Sequence, residues 1–174
     1  PSAKLFPLNT SGRQINMYDP KTRQWTLIDT CFSTHHVQFA DDASNTLWFS
    51  GGGNVVGWFN TRLYEETKDE QRSQGWTALI LDTNGNGRRD ADYLEPNAPL
   101  DPAKDRRISA PFYSVMENPV DHTIWGSVNA FPGSIARLSL GSNPPATALA
   151  EVFEAPFNTP KAPDARWPSP DEVA

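Results

Sequence analysis

Nine residues in the middle of the chain, Asp82-Thr83-Asn84-Gly85-Asn86-Gly87-Arg88-Arg89-Asp90, set oxygen-bearing side chains at alternate places. Calcium takes six to eight hard oxygen ligands. A loop wraps it with side chains at positions 1, 3, 5 and 9, a backbone carbonyl at 7 and a glycine at 6. Asp82, Asn84, Asn86 and Asp90 fill the side-chain places, the Arg88 carbonyl fills the seventh, and Gly87 makes the turn. Position 12, where a bidentate glutamate closes such a loop, is Tyr93, so Asp92 or Glu95 is expected to substitute. The competing account is two Asn-Gly turns in a polar hairpin, which need no ion. Four oxygen donors at this spacing are more than a turn requires. A structural Ca2+ of modest affinity is the expectation, suited to calcium-rich periplasmic or extracellular space.

The second group with chemical potential is the pair His35-His36, two of the three histidines in the chain. They open an expected strand, His36 to Ala40, and adjacent strand residues point opposite ways, so at most one of them should face a central channel. There it could act as a base or a metal ligand; the alternative is a hydrogen-bonded structural histidine. His122 is expected in a surface turn. The single cysteine, Cys31, excludes an internal disulfide and a cysteine zinc cluster, and beside Phe32 it reads as a small core residue. No Gly-x-Ser-x-Gly elbow, His-Glu-x-x-His pair or phosphate cradle occurs, and Gly51-Gly52-Gly53 reads as a hairpin turn.

The elements that must position these groups announce themselves as repeats. Ile15-Asn16-Met17-Tyr18-Asp19, Val56-Gly57-Trp58-Phe59-Asn60 and Ile135-Ala136-Arg137-Leu138-Ser139 share one pattern, offset by 41 and then 79 residues. The first interval equals one propeller blade and the second a blade plus an insertion of similar length. A turn followed by an aromatic strand accompanies it, first as Asp41 to Ser50 around Trp48 and again as Asn118 to Ser127 around Trp125. The expected order is inner strand, turn, Trp strand, Gly turn, third strand and an outer strand such as Trp25 to Ile28 or Leu149 to Phe153. Sixteen prolines and eleven glycines among short Trp-, Phe-, Val- and Ile-rich runs agree with many short strands.

The expected fold class is therefore all-β, with about two and a half four-stranded β-propeller blades spread over residues 1–155. Residues 14–30 form the outer half of one blade, 31–110 a full blade with a long insertion at 62–110, and 111–155 the next blade. A Pro-rich extended tail follows at 156–174. A β-sandwich sharing a Trp-strand pattern is the alternative. Closed propellers need about 4–8 blades, and an open stack that leaves a few hundred Å² of apolar face wet forfeits roughly 10 kcal/mol. The expected partners are thus further blades of the same protein or other copies of the chain.

The formal charge of −6, with scattered Lys and Arg, offers no basic stripe for nucleic acid. No apolar run suits a membrane helix, and Pro1-Ser2-Ala3-Lys4-Leu5 lacks the pattern of a signal peptide, so a soluble chain is expected.

His36-Val37-Gln38-Phe39, Asn45-Thr46-Leu47-Trp48-Phe49 and Asn54-Val55-Val56-Gly57-Trp58, with Ile124-Trp125 and Gly133-Ser134-Ile135-Ala136-Arg137, resemble bacterial propellers of the streptogramin lyase (virginiamycin B lyase-like) type across roughly residues 14–154. That resemblance implies a propeller fold and, in the lyases proper, a magnesium site with His and Glu residues near the channel. The position matching His36 in the next repeat is Tyr113, a departure from such a set. Two functions follow. The first is a calcium-stabilised binding or scaffolding module for an unknown small molecule or protein ligand; the second is a metal-dependent lyase or lactone hydrolase with His36, and beside it His35, at the reacting centre.

Overall fold

The computed structural model describes residues 12–51, 54–128 and 133–154. Among the described residues strands predominate over helices. A hairpin of β1 (Gln14–Asp19) and β2 (Gln24–Asp29) comes first. Asp19 shapes its turn: its carboxylate accepts the Lys21 amide at 2.8 Å and the Thr22 hydroxyl at 2.9 Å. Ile15, Met17 and Ile28 line one face of the hairpin, while Tyr18, Trp25 and Leu27 are exposed on the other.

Next is a four-stranded antiparallel meander of β3 (Val37–Phe39), β4 (Thr46–Phe49), β5 (Val55–Asn60) and β6 (Gln74–Ala78). Between β5 and β6 lies the helix α1 (Thr61–Thr67), capped where the Asn60 side chain accepts the Leu63 amide at 2.9 Å. After β6 come two short strands, β7 (Ile80–Leu81) and β8 (Arg106–Arg107). A second antiparallel meander consists of β9 (Met116–Glu117), β10 (Ile124–Val128), β11 (Ser134–Ser139), the turn-like helix α2 (Pro144–Thr147) and β12 (Leu149–Glu154). β7 joins that second sheet by lying parallel to β12 through Ala150 and Leu81, and β8 pairs with β7.

The expected 62–110 insertion is therefore divided. Residues 74–78 return to the first meander as its fourth strand, and the apolar run from Trp76 to Leu81 breaks at Leu79 to serve two sheets. Periodicity along one apolar run carries no sign of such a change of sheet, because partner choice is made by distant residues.

Period-two alternation gives each meander two apolar faces. Trp48 and Val56 from one face of the first meander, joined by Leu79, pack with Phe112, Val115, Ile124, Ala136, Leu138 and Ala150 of the second. Phe49 and Phe59 from the opposite face, with Tyr64 of α1, pack with Ile28 and Phe32 against the hairpin. Full burial of each such side chain contributes about 1.5–3 kcal/mol.

One packing device recurs. A Cβ on Gly57 would lie 2.4 Å from the Phe32 ring, and one on Gly126 would lie 2.3 Å from the Phe112 ring. In both meanders an aromatic from the segment entering the sheet lies flat over a glycine on the face turned to the preceding layer. The glycine sits on β5 in one and on β10 in the other.

Among the described residues the layers form an open series, not a closed ring. Gly51 takes φ +66° after β4, as its turn requires; Gly52, Gly53 and the Pro-rich tail at 156–174 lie outside the described residues.

Candidate metal centre

The loop at 82–90 leaves the sheet edge directly after β7. Its base is fixed by the Thr83 hydroxyl, which donates to the Lys104 carbonyl at 2.7 Å. The Asp82 carboxylate gathers three backbone amides, those of Gly85 at 2.7 Å, Asn86 at 3.1 Å and Gly87 at 2.8 Å. Asn84 Oδ1 accepts the Asn86 amide at 3.0 Å, and Asn86 Oδ1 accepts the Arg88 amide at 2.9 Å. Gly85 and Gly87 both sit at φ +73°, which permits this tight winding.

The side-chain amides of Asn84 and Asn86 donate to the two Asp90 oxygens at 2.6 and 3.1 Å. Of the four side chains expected as ligands, those of Asn84, Asn86 and Asp90 thus meet, while the Asp82 carboxylate is engaged by the backbone amides of the same loop. Each Asn oxygen receives one backbone N–H and keeps a second lone pair that could face a cation. Two of the four are amides, and among the described residues no group of three or more His, Cys, Asp or Glu is assembled to hold a metal by those residue types alone.

Neither residue expected at position 12 turns toward the loop. Asp92 pairs with Lys104 at 2.6 Å, and its hydrogen bond and charge hold that ammonium above the ordinary lysine value. Glu95 pairs with Arg107 at 2.7 Å. Tyr93 lies beneath the Arg89 guanidinium. What reaches the loop instead is Asp105, fully enclosed, whose Oδ2 accepts the Asp90 amide at 2.7 Å. Its distance along the chain hides it from any local spacing rule; the only sequence signal is that it precedes Arg106-Arg107, a basic pair that β7 recruits as a strand.

Arg89 ties the loop to the first meander by donating to the Thr77 hydroxyl at 2.8 Å. Beside it, a cavity of about 410 Å³ runs along β6, lined by Cys31, Gln74, Trp76, Arg89, Tyr93 and Pro145 among others. Cys31 is half-buried on this cavity wall instead of in the core, held there by its amide donating to the Gln74 side chain at 2.7 Å.

The histidine pair lies elsewhere, ahead of β3. His35 and His36 do not diverge: their Nδ1 atoms are 2.8 Å apart and both rings rest near that of Tyr113, at 5.8 and 4.5 Å between centroids. Alternation fails because the regular strand starts only at Val37. Tyr113 faces Ser127 as His36 faces Ser50, the Tyr113 amide donating to the Ser127 carbonyl at 2.8 Å and the His36 carbonyl accepting the Ser50 amide at 3.0 Å. His122 is exposed in a turn and bonded to Glu117 at 2.9 Å.

No family model, curated protein or solved structure matches the chain. Among the described residues no helix is long and apolar enough to cross a membrane.

Proposed function

We propose that the chain is a stretch of a β-propeller, with the two meanders as consecutive blades and the β1–β2 hairpin as the outer half of the blade before them. A calcium ion in the 82–90 loop stabilises it, and it serves as a binding or scaffolding module in periplasmic or extracellular space. The observation that carries the reading is the repeated register. Trp48 and Trp125 occupy the same place on the second strand, paired across to Trp58 and Arg137 on the third, and each unit lays an incoming Phe over a glycine.

The two ends of the series support missing neighbours. Tyr18, Trp25 and Leu27 are exposed at one end; Ile135 and Phe153 are exposed at the other, where Trp125 stacks on Phe153 at 5.7 Å. Monomeric soluble proteins seldom leave such contiguous apolar faces wet. Further blades of the same protein or other copies of the chain would cover them. Native mass spectrometry in calcium buffer tests this: the expected result is an assembly of several chains carrying one calcium per chain. A calcium-free monomer that melts cooperatively overturns the reading.

A second reading, a metal-dependent lyase or lactone hydrolase, has one observation in its favour. His35, His36 and Tyr113 cluster where the first strands of the two meanders meet, the side a ring would turn toward its axis. A divalent ion lost on His36→Ala but retained on Asp82→Ala would favour it over the scaffold.

A further inference from the structure

We infer that Asp105 closes the coordination sphere of the calcium loop, supplying from another strand the carboxylate that Tyr93 cannot provide. The inference rests on the calcium reading and adds to it the identity of the missing ligand.

Three observations converge. First, the loop's own donors fall short: Asp82, Asn84, Asn86, Asp90 and the Arg88 carbonyl make five, against the six to eight that calcium takes.

Second, Asp105 is 0 % exposed, and its Oδ1 is a buried oxygen with no hydrogen-bond partner, while Oδ2 holds the Asp90 amide. Burying a carboxylate with one oxygen unanswered is strongly unfavourable unless a cation compensates.

Third, the register carries Asp105 to the end of β7 from which the loop departs: β7 and β8 pair Ile80 with Arg107 and Leu81 with Arg106, and Asp82 and Asp105 are the next residues beyond these pairs. The basic side chains nearby are engaged elsewhere, Arg89 with Thr77, Lys104 with Asp92, Arg106 with the Ala98 carbonyl and Arg107 with Glu95. Asp105 would thus add a carboxylate to a loop whose own donors are the carboxylates of Asp82 and Asp90 and amide and carbonyl oxygens. That is the chemistry of a hard divalent cation held by an all-protein cage, which favours calcium over the smaller, water-retaining magnesium.

The closing ligand also has a topological effect. An ion held by Asp82 and Asp105 clamps the two strands at the base of the segment they enclose, as a bidentate residue at position 12 would clamp a continuous loop.

Calorimetric titration of calcium into the full chain and its Asp105→Asn and Asp92→Asn variants tests the inference. Asparagine preserves the oxygen that accepts the Asp90 amide and removes the charge, so a merely structural Asp105 would leave affinity unchanged. The expected result is a loss of about tenfold or more for Asp105→Asn, since ligand charge sets affinity in such sites, with Asp92→Asn near the wild type. In EGTA the Asp105→Asn protein should melt no lower than the wild type, because the uncompensated buried charge is gone.

Equal affinity in Asp105→Asn and wild type overturns the role of Asp105 while leaving the calcium loop standing. No saturable binding by the wild type overturns both. Should Asp105→Asn fail to fold, hydrogen exchange of the wild type decides: calcium must protect 101–107 together with 82–90, and protection confined to 82–90 overturns the inference.

Discussion

The ring of Tyr113 packs against that of His36 with 4.5 Å between centroids, joining the segments that lead into the first strands of the two meanders. A second tie runs beside it, from the Asp41 amide to a Glu117 carboxylate oxygen at 3.1 Å. A double-mutant cycle over His36→Ala and Tyr113→Ala should give a coupling of about 0.5–1 kcal/mol, the usual worth of an aromatic pair. Chemical denaturation measures it, and additive effects would mean that the rings do not touch in solution.

Gly126→Ala places a methyl group inside the contact distance of the Phe112 ring, which is 3 % exposed and has no free space to enter. A loss of about 1–3 kcal/mol in denaturant unfolding is expected. Adding Phe112→Leu to Gly126→Ala should recover part of it, because the smaller side chain vacates the position. Absence of any recovery would place the strain in the backbone and not in the ring.

If the 82–90 loop holds calcium as proposed, removing the ion should act locally. With EGTA present, hydrogen exchange is expected to rise across 82–107, while β4, β5, β10 and β11 keep their protection, since their cores lie between the meanders. Uniform loosening of all strands, or none anywhere, would contradict a cation confined to the loop.

The Asp121 carboxyl is held below the ordinary aspartate value, first by the Thr123 hydroxyl and amide and then by Arg137. A depressed carboxylate contributes stability above its unfolded value near 4, lost as pH falls through its lower folded value. Asp121→Asn should therefore lower stability at neutral pH and flatten the acid limb, the difference from wild type fading as pH falls below about 4 and the wild-type carboxyl protonates. Thermal melts across pH 2–7 read this directly; an unchanged acid limb would remove Asp121 from the account.

The strand order within each unit was legible because Trp48 and Trp125 each stand in a short alternating run that follows a polar turn. The Phe112–Gly126 packing was not. Its counterpart uses Gly57 on a different strand, so no aligned glycine betrays the shared device. The tight winding of the 82–90 loop was legible because Asp82 to Asp90 carries a spacing of its own. Asp105 was hidden for the opposite reason: it arrives through a strand pairing, and pairing partners leave no periodicity. His35 and His36 misled because alternation was applied one step before the strand begins.

Leu79, buried at 1 % exposure with its carbonyl receiving the Ile108 amide at 2.9 Å, is the sole residue between β6, the last strand of one sheet, and β7, an inner strand of the next. Modules exchanged by recombination or design are ordinarily cut at exposed connections. Here no such cut exists on this side. Excising the first meander as a cassette, cut anywhere beyond Leu79, would strip its neighbour of β7, and with it the anchor of β8 and the 82–90 loop, so the two sheets can be transplanted together but not singly.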